Sequence, residues 1–314
     1  MNGECARSGR QVRIVGGGYS AEIASVGATL RSLSYHGRHL TSSFEADEVR
    51  PASLGTCLLP WPNRIADGKY EFGGCAEQLP ITELSRGNAI HGLAGWLDWE
   101  VLEVDIDRVK LAVRIAAQPG YPHTLEATAE FAVDHTGLQW TVAAANVGST
   151  AAPYGIATHP YLVLPTGRPD DWELHVPASS VLDVDEERKL PRGLHSVADF
   201  RDGAFDFTSP RQIGSAVIDH AMTDIKAENG IAAVRLGAEG AAGVSLRWDP
   251  QVLPWVQIFT GDLPNDPGRD RRAVAVEAMT CPPDAFNSGT DLIVLESGQE
   301  HRATWHISAT GEED

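Results

Sequence analysis

The chain of 314 residues carries a net charge of −18 at pH 7, and 42% of its residues are hydrophobic. This composition indicates a globular protein with a large core, and its acidity argues against a nucleic-acid partner, which would require a basic surface. No apolar run approaches about eighteen residues and no apolar signal sequence is visible near Met1, so we expect no membrane segment and a cytoplasmic location.

Taken in chain order, short apolar or alternating segments between turn residues predict many strands. They cover residues 12–15, 21–26, 30–35, 109–115, 125–133, 138–145, 243–248, 255–260, 273–279 and 303–308. Residues 134–137 are typical of a hairpin turn, and residues 198–207 offer a turn or two of helix, limited by Gly203. The pattern predicts an all-β protein, a large antiparallel β-sandwich with few short helices, formed by a single domain over residues 1–314.

Glu277 is the most informative residue of the predicted strand 273–279, because every other residue of that segment is apolar. A carboxylate in a buried strand is unfavourable unless another group compensates its charge. Ala273 and Ala275 share its face by strand alternation, and their small side chains leave space beside it. This pattern favours a ligand site near the end of the strand over a packed core.

Four further segments combine polar side chains with turn chemistry: Asn63 with Arg64, His91 with Gly92, His159 with Tyr161, and Asp219 with His220. Two prolines precede Asn63 and would hold the side chains that follow, and an arginine offers a fork of donors for an oxygen-rich ligand. An arginine that caps loop carbonyls or a structural histidine would give the same local patterns. Asp219 and His220 are adjacent, so only one of them is expected to face a given pocket.

The sequence gives little support for a metal site or a phosphate-binding site. No histidine pair has H-x-H or H-E-x-x-H spacing, and Cys5, Cys57, Cys75 and Cys281 form no C-x-x-C pair, so we predict no metal and free thiols. The sequence has no P-loop and no G-x-S-x-G motif.

In order, these segments resemble the aldose 1-epimerase (galactose mutarotase) family over most of the chain. Asn63-Arg64-Ile65 with Gly68 looks like the N-R-I-x-x-G motif, His91-Gly92 like the H-G motif, and Asp219-His220 like the D-H pair. His159 stands where the family has its catalytic histidine, and residues 255–260 are similar to its late strand. Glu277 followed by residues 283–287 looks like the E-x-x…P-D-A-x-N signature. The resemblance implies a galactose mutarotase-like supersandwich and an isomerase that needs no cofactor.

The chain departs from the galactose mutarotase pattern at two places. His159-Pro160-Tyr161-Leu162-Val163 replaces H-x-Y-F-N, and His91-Gly92-Leu93 replaces H-G-G. Both features look like a bacterial branch that includes mutarotases of other sugars, sulfoquinovose among them. The sugar therefore stays open between galactose, glucose, sulfoquinovose and others.

By this resemblance, Glu277 is expected as the general base and His159 as the general acid of anomer exchange. Burial should raise the pKa of Glu277 toward neutrality, and His159 is expected near its ordinary pKa. The expected substrate-binding residues are Arg64, Asn63 and His91 near the reacting end, Asp219 at distal hydroxyls, and Trp255 or Tyr161 stacked on the sugar ring. We expect a small sugar as partner and a monomer or homodimer.

Three alternatives remain at this stage. A glycoside hydrolase would use two carboxylates, such as Glu277 and Asp219. A non-catalytic carbohydrate-binding β-sandwich would bind sugar without changing the rate of anomer exchange. An enzyme of phosphorylated sugars would require further basic residues near the site, for which Arg64 is the only clear candidate by sequence.

Overall fold

The structure is a computed structural model that describes residues 6–238 and 241–311. The first strands are β1 (Gln11–Gly16), β2 (Tyr19–Ala24), β3 (Thr29–Tyr35), β4 (Arg38–His39), β5 (Cys57–Leu58), β6 (Arg64–Ala66), β7 (Lys69–Phe72), β8 (Cys75–Gln78) and β9 (Asn88–Ile90). They are followed by β10 (Glu100–Val104), β11 (Arg108–Ile115), β12 (Leu125–Asp134), β13 (Gly137–Asn146), β14 (Ala152–Tyr154), β15 (Ala157–Thr158), β16 (Tyr161–Leu162), β17 (Glu173–His175) and β18 (Ala178–Val184). The last are β19 (Pro191–Ser196), β20 (Arg211–Gln212), β21 (Asp219–Ile225), β22 (Ala232–Ala238), β23 (Ala241–Trp248), β24 (Trp255–Phe259), β25 (Val274–Met279), β26 (Ile293–Leu295) and β27 (Glu300–Thr310).

The helices of the described residues are short. One α-helix, α1, spans Ala285–Ser288, and 3₁₀ turns lie at Ala94–Trp96, Pro169–Asp171 and Phe200–Gly203. No helix in the described ranges is long and apolar enough to span a membrane. The predicted helical segment 198–207 therefore contains a single 3₁₀ turn, which ends at Gly203 with a φ of +75° that favours glycine.

Two large antiparallel sheets dominate the fold. A nine-stranded sheet has the order β10-β11-β12-β13-β27-β23-β22-β17-β20, and an eight-stranded sheet has the order β19-β18-β21-β24-β25-β15-β5, with β16 paired to β25. A four-stranded sheet of β1 to β4 and three two-stranded sheets complete the topology. All the predicted strands are present with ends within a few residues, and the large β-sandwich predicted from the sequence is confirmed.

The main core follows from strand alternation. On β12, alternate residues from Leu125 to Val133 are buried, and Phe131 packs on Trp140 of β13 with ring centroids 4.8 Å apart. Burying each large apolar side chain stabilises the fold by about 1.5–3 kcal/mol. Trp140, Trp248 and Trp305 are almost fully buried in the same cluster, which rigidifies the centre of the nine-stranded sheet.

The eight-stranded sheet places the functional candidates. Val276 and Ile258 face the main core, whereas the alternate positions Glu277 and Gln257 lie opposite each other on the other face. Asp219 of β21 is paired with Phe259 of β24 on that same face. The strand 273–279 is thus buried on both sides, by the core on one face and by a polar cavity on the other.

Candidate active site

A cavity of about 330 Å³ lies on this face of the eight-stranded sheet. Its volume is at the lower end of the range of about 300–1,000 Å³ that is typical of small-molecule sites. It is lined by seven of the residues that the sequence singled out, namely Asn63, Arg64, His91, His159, Tyr161, Asp219 and Glu277. Residues separated by more than 200 positions in the chain therefore meet at one site.

Glu277 and His159 form the centre of the cavity. The Nε2 atom of His159 lies 3.3 Å from Oε1 of Glu277, and the two residues are 5% and 2% exposed. Burial raises the pKa of Glu277 well above its ordinary value of 4.5, and the charge of Asp219 adds to the rise, while Arg64 opposes it. The expected rise of the carboxyl pKa is present, and its main cause is loss of water.

The expectation that His159 keeps its ordinary pKa is wrong. Burial lowers the pKa of His159 to about 3, and the nearby Asp219 offsets this only in part. The raised pKa of Glu277 and the lowered pKa of His159 both favour an uncharged pair, in which a shared proton lies on the carboxyl group rather than on the imidazole. The uncharged pair and the ion pair of Glu277 and His159 hold the same number of protons. A proton transfer between Oε1 and Nε2, which lie 3.3 Å apart, therefore converts one state into the other.

Arg64 is fixed in the cavity wall by two carboxylates. Its Nε and Nη2 atoms donate to Glu83 at 2.9–3.2 Å, and Nη2 lies 3.6 Å from Asp219. Burial lowers the pKa of Arg64, but Asp219 and Glu83 raise it by more, so the guanidinium keeps its charge. Asn88 also donates to Glu83 at 2.9 Å, which fixes the carboxylate from a second side.

Asn63 and His91 occupy left-handed turns next to the cavity. Asn63 has a φ of +54° and His91 a φ of +64°, and the His91 N–H donates to the Asn63 carbonyl at 2.9 Å. Gly92 follows with a φ of +72°, and a Cβ there would lie 2.2 Å from the Leu59 carbonyl oxygen, so only glycine fits. Burial lowers the pKa of His91 well below its ordinary value, and His159 adds to the shift, so His91 is a neutral donor or acceptor.

Gln257 is a cavity residue that the sequence analysis missed. It lies directly across from Glu277, is 2% exposed, and donates from Nε2 to Asp219 at 2.7 Å. The available signal was a polar residue at an alternate position of an otherwise apolar strand, the same signal that identified Glu277. Glu83 was also missed, and its surface-like loop sequence gives no such signal.

Trp255 does not line the cavity, although the sequence analysis expected it on the sugar ring. It lies two cross-strand pairs beyond Gln257, packs with Leu58 and Met279, and donates from its indole nitrogen to Asp291 at 2.7 Å. The structure therefore corrects this expectation, because both the ring and the polar edge of Trp255 are already engaged. His220 likewise faces away from the cavity, with its ring 4.8 Å from that of Phe205.

Several buried polar atoms of the cavity have no hydrogen-bond partner among the described residues. They are Oε2 of Glu277, Oε1 of Gln257, Nδ1 of His91 and Nδ1 of His159. Buried polar groups are normally paired, so such a cluster indicates a site that a polar ligand completes.

Outside this cavity, Cys57, Cys75 and Cys281 are free thiols, whereas Cys5 lies outside the described residues. The described ranges contain no group of three or more His, Cys, Asp or Glu side chains able to hold a metal.

A β-sandwich with a buried carboxyl–imidazole pair beside a small polar cavity has the groups that an acid–base enzyme for a small polar substrate requires. The family model for aldose 1-epimerase matches residues 10–308, and the chain belongs to that family. The expected isomerase class is thereby confirmed, with the interconversion of sugar anomers as the family's reaction.

Individual proteins and solved structures are similar to this chain over nearly its whole length. The chain is 39% identical over 302 residues to the uncharacterized protein YihR of Escherichia coli K12, covering 96% of this chain and 93% of the relative. It resembles a GalM/aldose epimerase homologue from C. elegans with a TM-score of 0.83 and 19% identity, over 96% of this chain and 99% of the other. Galactose 1-epimerase from Lactobacillus acidophilus NCFM has a TM-score of 0.80 and 22% identity, over 96% and 95% of the two chains.

Proposed function

We propose that Glu277 and His159 carry the proton transfers by which this chain interconverts the α and β anomers of a free aldohexose. The observation that carries the proposal is the buried pair with 3.3 Å between Nε2 and Oε1, facing a cavity of about 330 Å³. Both groups line the cavity, within hydrogen-bond reach of a substrate bound beside them.

The reaction needs two proton transfers and no net change in proton count. The Glu277 carboxylate removes the proton of the anomeric hydroxyl, and the His159 imidazolium delivers a proton to the ring oxygen. The C1–O5 bond breaks, C1 becomes an aldehyde, and rotation about C1–C2 presents its other face. Ring closure reverses both transfers and returns the pair to its starting state.

The raised pKa of Glu277 and the lowered pKa of His159 set the resting state. The shifts favour an uncharged pair in the absence of sugar, and we infer that the reactive ion pair forms when sugar hydroxyls solvate both charges. Each positioned acid or base contributes about 10²–10⁴-fold to the rate, and anomer exchange is already spontaneous in water, so two such groups suffice.

We assign the binding of the sugar to five residues that line the cavity. Arg64 and Asn63 present donors and acceptors beside His91, while Asp219 is held by Gln257 on the opposite part of the wall. We assign Arg64, Asn63 and His91 to the reacting end and Asp219 with Gln257 to distal hydroxyls. The unpaired Oε1 of Gln257 and Nδ1 of His91 are the contacts that a hydroxyl group completes.

A His159→Asn variant tests the acid assignment, because asparagine keeps a donor of similar size but cannot shuttle a proton. We expect it to fold, to bind sugar, and to relax a fresh α-aldose slowly in polarimetry. Wild-type relaxation by His159→Asn would remove His159 as the acid. Release of new reducing ends from a disaccharide would instead favour the hydrolase alternative, and saturable binding with unchanged exchange would favour the binding module.

The sugar itself is best identified by measuring anomer exchange by NMR with glucose, galactose and sulfoquinovose. Arg86 gives the cavity wall a second arginine, which the sequence analysis did not find, and its Nε lies 3.4 Å from Glu83. This observation favours including an anionic sugar in the survey. The cytoplasmic location, the single domain and the monomeric or homodimeric state stay predictions.

A further inference from the structure

Tyr161 lines the cavity, but one face of its ring is already covered. The rings of Tyr161 and His159 are stacked, with centroids 4.9 Å apart and planes inclined by 12°. The spacing His159-Pro160-Tyr161 explains this contact, since residues two apart on an extended segment lie on the same side. A second aromatic contact follows at the edge, where Phe259 lies 6.3 Å away at 80°.

The orientation of His159 depends on these ring contacts. An imidazole that transfers protons is usually oriented by an acceptor at its other ring nitrogen. Nδ1 of His159 has no such partner in another residue of the described ranges. Its Nε2 atom faces Glu277 at 3.3 Å, and the plane of the ring is held by Tyr161 on one face and by His91, whose ring meets it at 5.2 Å and 80°.

Tyr161 is itself rigidly held. Its hydroxyl donates to the Ala52 carbonyl at 3.0 Å, and its backbone is paired with Ala275 of β25, two residues before Glu277. The ring is 5% exposed and packs with Ala273 and Phe44. A surface that is anchored at both ends can impose one plane on the imidazole stacked against it.

We propose that Tyr161 is a positioning residue that holds the His159 imidazole in the plane from which Nε2 faces both Glu277 and the substrate ring oxygen. This role replaces the expectation that Tyr161 stacks on the sugar. It rests on the proposed role of His159 as general acid. The aromatic face also stabilises the imidazolium when it forms, because a cation over a ring is attracted by the ring's electrons.

The test compares Tyr161→Leu, which removes the stack, with Tyr161→Phe, which keeps the ring and loses only the bond to Ala52. Anomer exchange is measured by NMR over a range of sugar concentrations, giving kcat and KM separately. We expect Tyr161→Leu to lower kcat by about 10²-fold, as misplacement of a reacting group does, with KM little changed. Tyr161→Phe should keep most of kcat. Tyr35→Leu, which removes a tyrosine outside the cavity, is the matched control and should change neither constant.

A double-mutant cycle separates this inference from the proposed function. In the His159→Asn background, Tyr161→Leu should add no further loss, because the group it positions is gone. If His159→Asn alone keeps wild-type kcat, the proposed function fails. If His159→Asn is slow but Tyr161→Leu keeps wild-type kcat, or loses the same factor in both backgrounds, only the positioning role fails.

The sugar-stacking alternative predicts the opposite pattern, a raised KM with kcat unchanged in Tyr161→Leu. Should Tyr161→Leu fail to fold, Tyr161→Met fills the same space without a ring and serves in its place. An NMR measurement on folded protein gives an independent readout. The His159 ring protons should be shifted upfield by the stacked ring in wild type and Tyr161→Phe, and ordinary shifts in both would contradict the stack.

Discussion

Glu83 offers the sharpest test of how the cavity wall is built. Its carboxylate accepts from Nε and Nη2 of Arg64 at 2.9–3.2 Å and from Asn88 at 2.9 Å, and its side chain is 15% exposed. In Glu83→Ala, the guanidinium of Arg64 keeps Asp219 at 3.6 Å and its electrostatic interaction with Glu277, while Arg86 loses its ion pair with Glu83. Removing one partner of a buried ion pair costs about 3–5 kcal/mol, and the residual exposure places this pair near the lower value.

We therefore expect Glu83→Ala to lower the free energy of unfolding by about 3 kcal/mol in urea titrations, and Tm by roughly 6 °C for a chain of this size. Its kcat/KM should fall as well, because Arg64 is no longer held toward the substrate. Glu48→Ala is the matched control, since Glu48 pairs with Arg269 at 2.9 Å on the surface with 39% of its side chain exposed. That change should cost at most about 1 kcal/mol. Equal losses of unfolding free energy in Glu83→Ala and Glu48→Ala would contradict the proposed role of Glu83 in holding Arg64.

Two further predictions concern Trp255 and Glu277. Trp255→Phe should leave KM for the sugar unchanged and lower the free energy of unfolding by about 1 kcal/mol, because the hydrogen bond to Asp291 is lost. A raised KM would instead show that Trp255 contributes to sugar binding. Glu277 has a pKa raised in the folded state, so its contribution to stability is full below pH 4.5 and is lost as pH rises through the folded pKa. The Tm of Glu277→Gln relative to that of wild type should therefore rise as the pH is raised above 4.5, and a constant or falling difference in thermal melts would contradict the raised pKa.

The sequence predicted much of the fold because its strands alternate. Residues 109–115 and 125–145 have one apolar and one polar face, and the structure has the expected strands and hairpin there. Many of the shorter or less regular strands were not predicted, β18 and β19 among them. β19 lies at the edge of its sheet, and its segment Pro191–Ser196 is largely exposed, so it carries no core-facing pattern.

The candidate site was predictable wherever a residue breaks a local pattern. Glu277 in an apolar strand and His91 before a glycine are visible without a structure. Glu83 was not visible, because its partner Arg64 is 19 residues away and the pairing depends on the fold. Trp255 was misplaced for the opposite reason, since alternation gives the face of a sheet but not the distance along it at which a cavity ends.

Properties that depend on burial in three dimensions could not be predicted from the sequence either. The fall of the His159 pKa to about 3 is caused by loss of water around the ring, which no local sequence pattern reports. The stacking of Tyr161 on His159 likewise required the positions of both rings.

The central claim is that Glu277 removes the anomeric proton. The most direct measurement is the anomer-exchange rate of an accepted aldose by two-dimensional exchange NMR, with wild type and Glu277→Gln at equal concentrations and with sugar binding verified for both. The account predicts a rate about 10²–10⁴-fold lower in Glu277→Gln, because glutamine keeps the shape and cannot accept the proton. A folded, sugar-binding Glu277→Gln that exchanges anomers at the wild-type rate would contradict it.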